Sequence, residues 1–424
     1  MKLMAIVLGM LACAAPKHLQ AQEFFAGGDI SVLQSYEDLG VAYYDQQGAK
    51  IDDVLKYMGS NAVGWNAQRV RLFVNPNRKA PDGSTDAQVC QDLDYVVRLG
   101  SRIKAEGFAF MLDFHYSDTW ADPSNQWTPA DWQSLNDDGL KTRIYEYTKE
   151  CLEQLVEAGA TPDFIQTGNE ISYGMLWGAY GSKQNRCYTS ADANWSRFVG
   201  LLQQASKACR EVCPQAKIII HTERAGQAGV VTDIYRRLAD VDYDIIGLSY
   251  YPFWHGSLAT LGGTLRQLAK VFPEKKVQIV ETAYYYQWQP AQSSTFTDFS
   301  KTWAVSPDGQ AAYLKSLIAE LKQHDNVNGL YWWFPEENGN GPGSKVLTNW
   351  VNRGLWDNST HRALPGLYAL KEFLNRPGTG IRMMRDDRND DQYWYDLRGM
   401  QLDSRPQRHG LYIHRGKKIA VKVP

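Results

Sequence analysis

The sequence predicts a (β/α)₈ barrel, and three observations carry that expectation. Eight short β-rich segments recur over about 350 residues, most of them followed by a helix-like stretch. Several are nearly continuous apolar runs, Ile218-Ile219-Ile220 and Val277-Gln278-Ile279-Val280 among them. Strands covered on both faces need that pattern. Nearly every segment also ends on a polar or aromatic side chain. A doubly wound open sheet is the alternative, weakened because no Gly-rich phosphate turn follows the first segment.

Taken in order, the predicted strands are Phe24–Ile30, Arg69–Val74, Phe108–His115, Phe164–Thr167, Lys217–His221, Ile245–Tyr251, Val277–Val280 and Gly329–Phe334. Amphipathic stretches at Asp86–Ala105, Gly139–Ala158, Trp195–Val212 and Gly309–Gln323 supply helices between them. Residues 22–374 are assigned to this barrel. From residue 375 the pattern stops: Asn375-Arg376-Pro377-Gly378-Thr379-Gly380 reads as a linker, followed by the charged run Arg385–Asp391. Three short alternating strands then fit Tyr393–Leu397, Gly410–His414 and Lys417–Val423, so residues 375–424 form a linker and a small β-rich tail.

At the other end, Met1-Lys2 and the apolar Leu3–Ala15 read as residues 1–21 of a signal peptide, too short an apolar stretch to span a bilayer. The expectation is a secreted protein, periplasmic or extracellular. The rival reading takes Ala12-Cys13 as a lipoprotein junction, with Cys13 acylated and the chain held at the cell surface. No later stretch is apolar over 18 residues. Cys90, Cys151, Cys187, Cys209 and Cys213 are odd in number with no C-x-x-C pair, so mostly buried free thiols are expected rather than a metal site or disulfide scaffold.

Composition narrows the function. A hydrophobic fraction of 44% with 22% charge excludes wholesale disorder, and a net charge of −2 gives no footprint for nucleic acid. The 14 Trp and 24 Tyr often sit beside Asp, Asn and Gly, a composition that sugar-binding clefts share with large cores. In a barrel the C-terminal strand ends share one face, and that is where chemistry collects. Here those ends carry Asp29, Arg69 or Arg71, His115, Asn169-Glu170, His221, Tyr250, Glu281 and Trp332. Glu170 closes the fourth segment and Glu281 the seventh, about 37 residues per βα unit apart, against roughly 31 in a ~250-residue barrel. Strands four and seven face each other across the mouth. Two carboxylates there can flank one substrate bond, one protonated as general acid and one ionised as nucleophile. A lone Glu capping a barrel strand is as readily a structural ion-pair partner; the surrounding His, Tyr and Trp argue for a site.

These strings resemble retaining (β/α)₈ glycoside hydrolases, and specifically family 53, the endo-β-1,4-galactanases acting on type I arabinogalactan. The matching strings are Gly28–Ser31, Arg69–Leu72, Asp113-Phe114-His115-Tyr116-Ser117-Asp118-Thr119-Trp120-Ala121-Asp122-Pro123, Gln166–Ile171, Gly247–Phe253, Glu281–Tyr284 and Gly329–Trp332. They span about residues 24 to 370, and the third is long and unusual. The resemblance implies Glu170 as acid/base, Glu281 as nucleophile and Asn169 as partner of the sugar 2-hydroxyl. It implies Arg71 beneath Glu281, although Arg69 shares its strand parity. His115, His221 and Tyr250 would line the subsite of cleavage and Trp332 would form its platform. Trp120, Asp122 and Asn125 would bind sugars further along the chain. Trp127, Trp132, Trp254, Trp333 and Trp356 are structural by default, with one or two stacking on sugar.

Two departures follow. Bacterial members often carry calcium after strand seven; here Tyr285-Tyr286-Gln287-Trp288-Gln289-Pro290-Ala291-Gln292-Ser293-Ser294 has no acidic cluster, so no metal and no other cofactor is expected. Where the family usually has Glu-Pro, this chain has Trp333-Phe334-Pro335, which alters cleft shape. The expected partner is galactan or arabinogalactan, with no nucleic acid and no transmembrane segment, and a monomer. The tail resembles a small C-terminal appendage of secreted proteins from Gram-negative gut-type bacteria, for sorting or packing. Rival chemistries lack their motifs: there is no G-x-S-x-G, no H-E-x-x-H, and no H-x-H on the first strand. The same chemistry on mannan stays open, and a silent sugar-binding barrel would need one glutamate replaced.

Overall fold

A computed structural model describes residues 23–76, 81–84, 86–287, 296–341 and 350–375, and in the tail 394–395, 401–402, 406, 410–414 and 417–421. The signal-peptide and Cys13 readings, the linker from residue 376, the run Arg385–Asp391 and Trp288–Ser294 lie outside them. One compact unit is Phe24–Asn375; residues from Arg376 onward belong to a second.

The large unit is a closed barrel of eight parallel strands. They are β1 (Phe25–Asp29), β2 (Ala67–Leu72), β3 (Ala109–Phe114), β4 (Phe164–Thr167), β5 (Lys217–Thr222), β6 (Ile245–Ser249), β7 (Lys276–Thr282) and β8 (Val327–Trp333). Each pairs with its chain neighbours, and β8 closes on β1. All eight predicted segments are strands, with ends trimmed for local reasons. The second stops at Leu72 because the Phe73 and Val74 amides leave the sheet, donating to Gln91 and Ser117 carbonyls. The sixth stops at Ser249 because Pro252 opens the short helix Pro252–His255.

Helices α1 (Leu93–Ala105), α2 (Asp137–Glu157), α3 (Trp195–Val212), α4 (Ala228–Arg237), α5 (Leu258–Val271) and α6 (Pro307–Leu321) run between consecutive strands from β2 to β8. Their starts follow capping chemistry. The predicted helix at Asp86 begins only at Leu93, where the Asp92 carboxylate accepts the Tyr95 amide at 2.8 Å. Asn136 caps α2 and Ser306 caps α6, the latter with Pro307 at its first position. The sequence reading did not single out α4 and α5. The five cysteines named above from Cys90 to Cys213 are buried free thiols.

Inside the barrel, strand alternation builds layers. Ala67, Met111, Phe164, Ile219, Ile245, Val280 and Tyr331 form an apolar plug of their own. Two residues further along the same faces come Arg69, Asp113, Gln166, His221 and, at the β1 end, Asp29, all buried and polar. The chain therefore changes from a dry floor to a charged layer within one pleat. Between β6 and β7 the register slips, Leu248 facing Ile279 while Ser249 faces Glu281, which brings Glu281 onto the inner face after Val280.

In the second unit the described strands Trp394–Tyr395, Gln401–Leu402, Gly410–His414 and Lys417–Val421 make an antiparallel sheet. Among the described residues no helix is long and apolar enough to cross a membrane.

Candidate active site

Glu170 and Glu281 enter one groove of about 990 Å³ from β4 and β7. Glu170 sits on a backbone bent into the left-handed region, φ +50°, two residues after Gly168 at φ +105°. A side chain on Gly168 would also press on Ile171, 2.9 Å away. The Gly-Asn-Glu turn thus has a conformational reason for its glycine.

The two carboxyls have different neighbours. Glu281 Oε1 lies 3.0 Å from Arg69 Nη2, and Glu281 Oε2 accepts from the Tyr251 hydroxyl at 2.9 Å. Arg69 also pairs with Asp29 at 2.6 Å and Asp113 at 2.7 Å, and donates to Asn169 Oδ1 at 2.9 Å. This buried guanidinium holds its proton firmly because those carboxylates outweigh the cost of burial. Asp113 stays below the usual carboxylate range despite burial, through Arg69 and then His115, whose Nε2 lies 3.1 Å away. Burial pushes Glu281 up to about 7, with Arg69 pulling the other way.

Glu170 has no cation in contact among the described residues. Its carboxyl is pushed well above 4.5 by burial, then by Glu281 and Glu223. Ser249 donates to its Oε1 at 2.6 Å. Ser249 in turn meets His221 Nε2 at 2.8 Å, and the Glu170 amide donates to His221 Nδ1 at 3.3 Å. Nδ1 also lies 3.0 Å from Gln166 Nε2 and 3.0 Å from Asn169 Oδ1, so His221 ties Ser249, and through it Glu170, to the polar layer below. The imidazole is held neutral by burial and then by Arg69.

The remaining expected residues divide. His115, Trp120, Asp122, Asn125 and Asn169 line the groove. Asn169 uses one amide hydrogen on the Ala121 carbonyl at 2.8 Å, leaving the other for a ligand. Trp120 is braced by the Asp86 carboxylate at 2.8 Å, and Asp122 and Asn125 clasp each other at 2.8 Å.

Four expectations are corrected. The guanidinium beneath Glu281 belongs to Arg69; Arg71, one layer higher, lies 4.4 Å from the Trp120 ring and braces it. Tyr250 points out of the barrel, donating to the Gly256 carbonyl, and Tyr251 faces the groove. Trp332 also points outward, its indole N–H on the Arg353 carbonyl, and Trp333 lines the groove instead. His221 lies under the groove wall and reaches Glu170 through Ser249. The first three errors are shifts of one or two positions along a strand whose side chains alternate. Counting from inward Ile245 or Tyr331 places Ser249 and Trp333 inside.

Groove residues that sequence reasoning missed are Tyr173, Arg186, Glu223, Arg224 and Trp350 on loops and His255 at the end of the short helix Pro252–His255. Trp254, taken as structural by default, also lines the groove, whereas Trp132 and Trp356 are core. Among the described residues no group of three His, Cys, Asp or Glu could hold a metal.

A closed parallel barrel with two mutually interacting glutamates in an aromatic-walled groove defines the class: a glycoside hydrolase. The comparisons narrow it. The model described as Glycosyl hydrolase family 53 matches residues 25–370, and the chain belongs to that family. An endo-beta-1,4-galactanase of Bacillus subtilis (strain 168) is 29% identical over 79% of this chain and 75% of its own. A probable arabinogalactan endo-beta-1,4-galactanase A of Neosartorya fischeri is 33% identical over 73% of this chain and 83% of its own. Among solved structures, the Ignisphaera aggregans GH53 catalytic domain aligns with TM-score 0.70 and 31% identity, covering 84% of this chain and 97% of that one. A fungal beta-1,4-galactanase structure aligns with TM-score 0.67 and 28% identity, over 82% of this chain and 98% of that one.

Proposed function

We propose that this chain cleaves internal β-1,4-galactosidic bonds of galactan, including the type I arabinogalactan side chains of pectin, by double displacement. The observation that carries the chemistry is the asymmetry of the two glutamates: a guanidinium touches Glu281, and among the described residues no cation touches Glu170. The carboxyl without a cation keeps its proton longer, so Glu170 is the acid and Glu281 the nucleophile. The relatives' names support the substrate.

In the first step Glu281 attacks the anomeric carbon while Glu170 gives its proton to the departing oxygen, leaving a glycosyl ester on Glu281. Ser249 occupies Oε1 of Glu170, so the transferable proton sits on Oε2. In the second step Glu170, now ionised, takes a proton from water, and that water displaces Glu281 with net retention. The free Asn169 amide hydrogen is available to the 2-hydroxyl, a contact that strengthens as positive charge builds on the ring. Trp333 and Tyr251 line the groove, Tyr251 with its hydroxyl on Glu281. The enzyme works in this reading as an exported monomer without calcium or other cofactor, its residues 1–21 a leader.

Incubation with pectic galactan and, separately, with mannan tests the substrate: galacto-oligosaccharides from the first are expected, and their absence ends the proposal. Proton NMR of the first product formed tests the mechanism, since an initial α-anomer would mean inversion.

A further inference from the structure

The arm of the groove wall built by the loops after β4 and β5, next to Glu170, carries an unusual charge arrangement. Tyr173 lies three residues after Glu170 on the same loop, and two guanidinium groups lie over its ring. Arg186, also on the β4–α3 loop, is 4.3 Å from the ring centroid, and Arg224, just past β5, is 4.5 Å from it. Arg186 is further held against Trp177 at 4.9 Å and Tyr188 at 5.2 Å. Both arginines line the groove.

Their charges are poorly compensated. Among the described residues no carboxylate lies within ion-pair distance of Arg186, and its Nε is buried without a hydrogen-bond partner. Arg224 spends only Nε on the protein, 2.9 Å from Glu223 Oε1 and 3.0 Å from Ser172 Oγ. Its two terminal nitrogens have no partner among the described residues. Glu223, the one counter-charge in contact with the pair among the described residues, is buried, its Oε1 accepts from Ser172, and its Oε2 is unpartnered. The positive field is felt nearby: His255, on the same wall, is pushed down to about 4 by burial and then by Arg224.

A neutral sugar needs hydroxyl partners and an open ring to stack on. Here the ring is taken up with cations, and what faces the groove is a pair of planar forks. Such forks match a carboxylate bidentately. We propose that this arm is an anion-reading subsite in which Arg186 and Arg224 receive the carboxylate of a uronic acid in the substrate. The inference rests on the reading of Glu170 as general acid, which puts this arm on the leaving-group side of the bond. The acidic sugar is then part of the departing piece, toward its reducing end.

The test compares kcat/KM for a neutral linear galacto-oligosaccharide with that for the same chain ending in galacturonic acid at its reducing end. Wild type is expected to prefer the acidic substrate. The preference should fall roughly tenfold in Arg186→Gln, the size of losing one charge-assisted hydrogen bond, and further in the Arg186→Gln/Arg224→Gln double variant. Arg186→Lys, which keeps the charge, should retain part of it, and salt at about 0.5 M should erode it. No preference in wild type, or a loss in the variants that is equal for both substrates, overturns the subsite. If the neutral chain is not cleaved at all, the galactanase reading has failed instead. The subsite is then judged by calorimetric titration with the galacturonate-ended chain, where equal affinity of wild type and Arg186→Gln refutes it.

Discussion

The ends of β4 and β7 hold the same side chain in opposite settings. Glu281 is buried and Glu170 partly so, and loss of solvent alone would protonate both. At β7 a guanidinium and a phenol hydroxyl face the carboxyl; at β4 a serine backed by a neutral imidazole does. On the proposed mechanism one cation separates the acid from the nucleophile, and the sheet supplies that difference by strand register, since Arg69 and Glu281 meet from strands two and seven. On that mechanism the inequality comes chiefly from Arg69, which lies below the groove and does not line it.

Deleting one side of the comparison has the largest expected effect. Glu281→Ala should abolish turnover on galactan while equilibrium titration still detects binding; retained activity would remove Glu281 from its role. Next, Arg69→Gln should leave Asp113 without a guanidinium and Asp29 with only Arg71, costing about 3–5 kcal/mol, and should also leave Glu281 protonated. A lowered melting temperature together with lost activity is expected, and an unchanged melt would contradict the network.

Glu170→Ala should lower kcat on galactan by about 10²–10⁴ and far less on an aryl galactoside, whose phenolate leaves without a proton. Equal losses on both would place Glu170 outside acid catalysis. The pH profile sharpens the comparison further. Glu281 must be ionised, so activity rises with pH through its value near 7, and it falls again at higher pH as Glu170 loses its proton. The pair shares these limbs as two coupled steps. Tyr251→Phe removes a hydrogen bond to ionised Glu281, raises its pKa, and should move the acidic limb to higher pH. Ser249→Ala does the same for Glu170, so the basic limb should rise, with a modest drop in kcat. Limbs that stay put in both variants would disprove the hydroxyls' part.

How much of this was legible follows from the periodicities involved. The eight strands stood out because parallel strands are apolar on both faces, and Glu170 and Glu281 because each ends such a run. The choices between Arg69 and Arg71, Tyr250 and Tyr251, Trp332 and Trp333 failed at the strand ends. Arg69 and Arg71 share one face and differ only in height, and for the other two pairs only alternation counted from the apolar plug tells which face is inside. Tyr173, Arg186, Arg224 and Trp350 were invisible because loops carry no period, and their neighbours are tens of residues away in sequence. The α1 start was readable from Asp92, had its cap been weighed above the apolar spacing.

Arg69 has one further consequence. Its guanidinium ties β1 through Asp29, β3 through Asp113, the turn after β4 through Asn169 and β7 through Glu281. The first strand and the penultimate one thus complete a single electrostatic knot. A nascent or truncated chain lacking its last two strands has no partial version of this machinery. Hydrolytic competence must arrive all at once, when the cylinder shuts.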